Sequence, residues 1–311
     1  MIPFISRADL SEQNIWIKHL SAAMPNEMIV LFADLTPEQK LQCEIAIVAN
    51  PDPDHLLELP SLKWVHSVWA GVERMINELS SPPFSIVRLV DSNLAQTMSE
   101  AVLAWTLYLH RDMPTYAKQQ SKKSWIQQPM VRAQDRRIGV LGLGELGAVS
   151  AQRLVANGFS VAGWSRNPKQ VAGVECFYGE EGLIPLLRQS DILVCLLPLT
   201  IETKGLLNDQ NLSCLPIGAS LINFARGLII DDEALLTKLE QGALSHAVLD
   251  VFMQEPLPIN HSFWQHDSIT VLPHISAPTH PVSASEIVAE NIKQYRLTGN
   301  IPPAVDPVRG Y

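Results

Sequence analysis

Arg136-Arg137-Ile138-Gly139-Val140-Leu141-Gly142-Leu143-Gly144-Glu145-Leu146-Gly147 is the stretch whose reading decides the fold. Residues 138–141 form a short apolar run that reads as a buried strand. The run breaks into Gly142-x-Gly144-x-x-Gly147, and residues 148–156 continue with helix-forming side chains. Strand, glycine-rich turn and helix together are the sequence pattern of a dinucleotide-binding unit. Gly142 permits the tight turn, Gly144 lets a pyrophosphate approach the backbone, and Gly147 lets helix and strand pack closely. The N–H groups at the helix start, beside Glu145 and Leu146, then face the phosphates. A second strand at 160–164 completes the local context. A glycine-rich turn without a ligand remains the alternative wherever such flanks are missing.

Outward from that stretch, the second half of the chain reads strand by strand: 192–197, 220–224, 247–251 and 269–272, with helical segments at 182–189 and 231–240 between them. Asp231, Asp232 and Glu233 load the first turn of the latter helix, where carboxylates suit the helix dipole. Gly242 stands where a helix C-cap is expected. The first hundred residues alternate in the same way. Strands are expected at 2–6, 28–32, 45–49, 64–68 and 85–90, and helices at 12–24 and 71–79. Pro51-Asp52-Pro53 and Pro82-Pro83 mark loops. Alternation of this kind predicts an α/β fold with parallel sheets. Between the halves, residues 94–118 read as one long helix buried on more than one side. Its stripe is Met98, Val102, Trp105, Leu109 and Met113, widened by Ala101, Leu103 and Leu107. A polar segment, 119–134, follows it.

The composition narrows the function. The chain has 311 residues, which predicts two domains. A net charge of −9 without any basic run argues against a nucleic-acid surface. The amino-terminal stretch does not read as a signal peptide, and no apolar run reaches membrane-spanning length. Cys43, Cys176, Cys195 and Cys214 are widely spaced and predict reduced, mostly buried thiols in a cytoplasmic protein, with no metal site.

In doubly wound sheets, ligands sit beyond the carboxyl ends of the strands. The residues just past three strands of the second half are Arg226-Gly227, Glu255-Pro256 and Pro273-His274. Each alone fits a surface salt bridge, a turn start or a half-buried histidine. Together, at one predicted rim, they fit reduction of a carbonyl. Hydride addition needs a proton donor, which His274 can be near neutral pH. Glu255 beside it would fix the ring and favour its charged form. Arg226 can take a substrate carboxylate with two parallel bonds and polarise the adjacent carbonyl. His66, His246 and His280 have no such placement and read as structural or surface residues.

Coenzyme choice is read at the end of the second strand of the unit. An acidic residue there accepts hydrogen bonds from the adenosine ribose and repels a 2′-phosphate. Here the strand ends in Ser165-Arg166-Asn167, with Lys169 close behind and no acid until Glu175. That pattern predicts NADP(H) in preference to NAD(H). Solvated loop cations beside the adenine are the alternative.

Four blocks in order carry a resemblance that covers nearly the whole chain. Gly142-x-Gly144-x-x-Gly147, Asn223-Phe224-Ala225-Arg226-Gly227, Leu249-Asp250-Val251-Phe252-x-x-Glu255-Pro256-Leu257-Pro258 and Pro273-His274-Ile275 resemble the signatures of the D-isomer-specific 2-hydroxyacid dehydrogenases. Leu196-Leu197-Pro198-Leu199-Thr200-x-x-Thr203 is similar to that family's loop near the nicotinamide ribose. Trp164-Ser165-Arg166 together with Arg309-Gly310-Tyr311 is similar to its glyoxylate/hydroxypyruvate reductase A group.

The resemblance implies two doubly wound parallel-sheet domains. A Rossmann coenzyme domain, 98–280, is inserted in a smaller flavodoxin-like substrate domain, 1–97 and 281–311. It implies a homodimer that reduces a small 2-oxoacid, glyoxylate or hydroxypyruvate. Arg226 would orient the substrate, His274 would be the acid/base and Glu255 its partner. Leu197, Pro198, Thr203, Phe224, Ala225, Asp250 and Ala277 would contact the coenzyme. The family's substrate loop often reads Gly-Ala-Gly-Val, whereas this chain has Trp69-Ala70-Gly71-Val72. Trp69 either narrows the pocket towards short acids or packs in the core. Two rival readings stand beside this one. One is a nucleotide-sensing binding protein of the same fold; the other is a dehydrogenase of formate, phosphite or a bulkier acid.

Overall fold

Among the described residues, 1–79 and 82–306, every strand pairing is parallel, so each strand returns through a crossover. The computed structural model divides into two compact units, residues 1–94 with 279–311 and residues 95–278. The carboxyl-terminal Arg309-Gly310-Tyr311 lies outside the described residues.

The first unit is built on β1 (Ile2–Ser6), β2 (Ile29–Leu31), β3 (Ile45–Ala49), β4 (Trp64–Ser67) and β5 (Ser85–Val87), in the order β2-β1-β3-β4-β5. That order is the flavodoxin-like one. Both faces of β3 are buried, as a strand between two helix layers requires, and its residues are all apolar. Helix Pro281–Thr298 returns to cover this sheet through Ala284, Val288, Ile292 and Tyr295, with Tyr295 edge-on to Trp64.

One polar pin crosses that layer. His66 is fully buried, and burial holds its imidazole down to about 4 against a weaker opposing pull from its bond to the Ser67 carbonyl. The neutral ring donates from Nδ1 to Ser67 O at 2.9 Å, which leaves Nε2 to accept from the Asn291 amide at 2.8 Å.

The second unit is built on β6 (Arg137–Leu141), β7 (Ser160–Ser165), β8 (Val174–Tyr178), β9 (Ile192–Cys195), β10 (Ala219–Asn223), β11 (Leu244–Leu249) and β12 (Ile269–Val271). Their order is β12-β11-β10-β9-β6-β7-β8, the doubly wound order with the reversal between β6 and β9. Asp231 caps helix Asp232–Glu240 by accepting from Glu233 and Ala234 N–H, and Gly242 follows with φ 69°.

The structure differs from the expectations in four places. The long helix is two, Ser92–His110 and Met113–Ser121, broken where Asp112 takes a left-handed conformation at φ 53°. Pro114 sits in the first turn of the second helix, where its missing N–H costs nothing. The stripe is also less buried than expected: Met98, Val102 and Leu109 are core, but Leu107 and Met113 are exposed. Strand β8 was not expected, because its residues are half-exposed and Glu175 interrupts its apolar pattern. It is the edge of the sheet. Pro51-Asp52-Pro53 opens a helix, Pro53–Leu57, with Asp52 as its cap and proline in the first turn. Among the described residues no helix is long and apolar enough to cross a membrane.

Replacing Asn291 by Leu keeps the volume but leaves the buried Nε2 of His66 without its donor. The expected loss of stability is about 1–3 kcal/mol, read from urea unfolding of the variant against the parent chain.

Candidate active site

Strand pairing fixes the first half of the site. Leu141 pairs with Trp164 on one side and Cys195 on the other, so Gly142, Ser165 and Leu196 leave the sheet at one level. Gly142 has φ 100°, and a Cβ there would press on Leu196 O at 2.8 Å. A Cβ on Gly147 would overlap the Gly142 carbonyl oxygen, so only glycine allows helix Glu145–Ala156 to lie this close to β6. Gly144 differs from both. A Cβ there meets nothing within 4 Å, and no side chain caps the helix that it starts. Open space over uncapped N–H groups is what a pyrophosphate needs. The turn therefore fits a dinucleotide.

Around this turn, Ser165 is buried and its hydroxyl donates to Asn167 O at 2.8 Å, whereas Arg166 and Lys169 are exposed. Leu197 is buried, and Pro198 lies in the loop after β9. Thr203 Oγ1 donates to Pro198 O at 2.7 Å and accepts from Thr200 N–H at 2.8 Å, holding that loop in a closed turn.

The second half of the site gathers at the ends of β10, β11 and β12. Phe224 and Ala225 are buried. The Asn223 side chain accepts from Ala225 N–H at 3.1 Å and donates to Arg226 O at 3.1 Å, which shapes the turn that presents Arg226. The Arg226 guanidinium in turn donates to Ala225 O at 2.6 Å. Next door, a Cβ on Gly227 would overlap the Phe252 backbone, so this turn rests directly on the chain leading to Glu255.

His274 and Glu255 meet. Glu255 Oε2 is 2.8 Å from His274 Nδ1, and Oε1 accepts from Phe252 N–H at 2.9 Å. The pair stays open to reactants, with side-chain exposures of 54% and 37%. Hydrogen bonding to Glu255 raises the His274 pKa above its ordinary value against a smaller loss from burial. The charges of Glu255 and Asp250 add to the rise, and that of Arg226 opposes it. Burial works to raise the Glu255 carboxyl. Its bonds to His274 and Phe252, with the charges of His274 and Arg226, outweigh that and hold it lower. With Nδ1 taken, Nε2 is the ring nitrogen that can exchange a proton with a reactant.

Sequence reasoning placed Asp250 beside the coenzyme. It is 2% exposed, and both its oxygens engage backbone: Oδ1 accepts from Ile275 N–H at 2.7 Å, Oδ2 from Ser276 N–H at 2.8 Å. Those bonds hold the loop in which His274 takes a left-handed φ of 55°, a conformation a non-glycine residue rarely adopts. Asp250 thereby positions His274. Asn223 was overlooked as a positioning residue; an Asn at a strand end before a tight turn was its signal. Ala277 packs half-buried against the cluster around helix Ser92–His110.

Trp69, Ala70 and Gly71 follow β4 in the other unit. Trp69 N–H donates to Ser67 Oγ at 3.0 Å, and its side chain packs against the core of the first sheet. Among the described residues no group of three His, Cys, Asp or Glu could hold a metal ion.

Comparison with known proteins finds relatives of one family. The NAD binding domain of the D-isomer specific 2-hydroxyacid dehydrogenases matches residues 103–276. A glyoxylate/hydroxypyruvate reductase A of Serratia proteamaculans (strain 568) is 36% identical over 302 residues, 95% of this chain and 96% of the relative. A D-isomer specific 2-hydroxyacid dehydrogenase from Xanthobacter autotrophicus Py2, crystallised with NADPH and MES, is 37% identical with a TM-score of 0.92, covering 100% of this chain and 99% of that one. An NADPH-dependent glyoxylate/hydroxypyruvate reductase from Sinorhizobium meliloti, crystallised with NADP and sulfate, is 30% identical with a TM-score of 0.89, covering 100% and 99%.

The Glu255–His274 contact makes a direct titration prediction. In Glu255→Gln the ring loses its anionic partner, so His274 should protonate only at lower pH than in the parent protein. The imidazole resonance followed by NMR against pH reads this without any turnover, and an unmoved midpoint would remove Glu255 as the cause of the shift.

Proposed function

The chain belongs to the D-isomer specific 2-hydroxyacid dehydrogenases, and we propose that it reduces a small 2-oxoacid, glyoxylate or hydroxypyruvate, to the 2-hydroxyacid with NADPH. The observation that carries this reading is the His274–Glu255 pair, held open at the rim beside Arg226. The names of the relatives support the substrate class and the coenzyme. When bound, the coenzyme supplies the hydride.

In this reading Arg226 takes the substrate carboxylate with two of its N–H groups and draws electron density from the neighbouring carbonyl. As the carbonyl carbon gains a hydride, its oxygen gains charge, and His274 Nε2 gives that oxygen its proton. The neutral imidazole that remains keeps its Nδ1–H on Glu255. Coenzyme contacts are assigned to Gly142, Gly144, Glu145, Leu146 and Gly147 at the phosphates, to Ser165, Arg166 and Lys169 at the adenosine end, and to Leu197, Pro198, Thr203, Phe224, Ala225, Asp250 and Ala277 along the nicotinamide side. A planar guanidinium suits a 2′-phosphate, and the strand end offers no carboxylate against it.

The active form in this reading is a cytoplasmic homodimer. Trp125, Ile126 and Met130 are 96%, 61% and 87% exposed in the single chain, an apolar display that a second copy would cover.

Three experiments test the reading. Reduction requires the charged imidazole, so the rate should be full below the raised His274 pKa and fall as pH rises through it. His274→Ala should lower kcat by roughly 10²–10⁴-fold on the best acid of a small 2-oxoacid panel, and near-normal turnover would sink the assignment. For the coenzyme, Arg166→Ala should weaken NADPH by roughly ten- to a hundredfold and leave NADH little changed, as binding constants for both would show.

A further inference from the structure

The helix that serves the diphosphate begins with a carboxylate. Gly144 is the N-cap of helix Glu145–Ala156, so Glu145 is its first residue and the acid of its first turn. Cα–Cβ bonds of a helix tilt toward its N-terminus, so the first side chain leans over the end whose N–H groups are free. Glu145 is exposed, and among the described residues no hydrogen bond or ion pair holds its carboxylate. Gly144 beside it leaves room above the same N–H groups, since a Cβ there meets nothing within 4 Å. No side chain caps this end. A carboxylate and a diphosphate are therefore drawn to one positive helix end. With both in place, each meets a like charge.

We propose that Glu145 opposes the coenzyme diphosphate and sets the part of coenzyme affinity that NADPH and NADH share. The inference rests on the reading of the glycine turn as the diphosphate site. In the free chain the carboxylate suits the helix dipole and steadies the start of the helix. In the loaded chain the same charge repels the ligand. Glu145 therefore favours the free protein over the loaded one, and looser holding means faster exchange of spent coenzyme for fresh. Both coenzymes carry the diphosphate, so removing the charge strengthens both by a similar factor. Arg166 acts differently, because it reads a group that only one of them carries. The carboxylate is exposed, so its effect is modest and screened by salt.

The test measures dissociation constants for NADPH and NADH from the fluorescence of the reduced nicotinamide, with no substrate present. It compares the parent chain, Glu145→Gln and Glu145→Asp at low and high ionic strength, and follows thermal unfolding of each with and without NADPH. Glu145→Gln should bind both coenzymes about two- to fivefold more tightly at low salt, and its advantage over the parent should shrink at high salt. Without coenzyme the same variant should melt roughly 1–2 °C lower, and saturating NADPH should narrow that gap. Glu145→Asp keeps the charge and should keep the parent's constants. Coenzyme binding that is unchanged or weaker in Glu145→Gln would overturn the proposal, as would a gain confined to NADPH or an equal gain in Glu145→Asp. If the parent chain binds neither coenzyme, the diphosphate reading of the glycine turn falls and this inference falls with it. If the parent binds them and Glu145→Gln binds no more tightly, only the inference falls.

Discussion

A buried carboxylate organises the reactive rim. Asp250 lies at the end of β11 with both oxygens bonded to successive backbone N–H groups, at Ile275 and Ser276. An ionised group taken out of water must be compensated by such bonds, and here they also hold a backbone turn. The turn puts His274 in the left-handed region, a conformation that costs on the order of 1 kcal/mol for an ordinary residue and persists only where its surroundings enforce it. Removing the clamp would free the loop to relax, and the imidazole would leave Glu255. The His274–Glu255 contact is thus a product of the sheet as much as of its own two side chains.

The same logic links Arg226 to Glu255. Asn223 shapes the turn after β10, Gly227 lets that turn rest on the backbone at Phe252, and Phe252 N–H holds one oxygen of Glu255. Three strand ends, β10, β11 and β12, are therefore coupled by backbone contacts rather than by long side chains. A site assembled this way has little freedom to misplace its charged groups, which is what carbonyl reduction asks of it.

Much of this was legible in the sequence. Glycine spacing, strand periodicity and the rule that ligands lie beyond the carboxyl ends of strands were enough to bring Arg226, Glu255 and His274 to one edge, because each rests on short-range geometry. Fully buried apolar strands such as β3 and β9 are readable for the same reason. What escaped depends on tertiary context. Strand β8 is a half-exposed edge whose apolar run is broken by Glu175. The break at Asp112 is a single backbone conformation inside a stripe that keeps its helical spacing on both sides. The two hydrogen bonds that Asp250 accepts from the loop beyond β12 join residues 25 and 26 positions apart, and no local pattern announces them.

Gly142 and Gly147 are locked together so tightly that neither position tolerates a side chain. A part built to that tolerance cannot be adjusted by degrees; it works or it does not. Any gradual change around this turn must then happen where side chains have room, on exposed tips such as that of Arg166. The glycine turn is the rigid chassis, and the exposed strand tip is the interchangeable fitting. That division leaves surface substitutions free to change the mouth of the turn while the packing beneath it stays untouched.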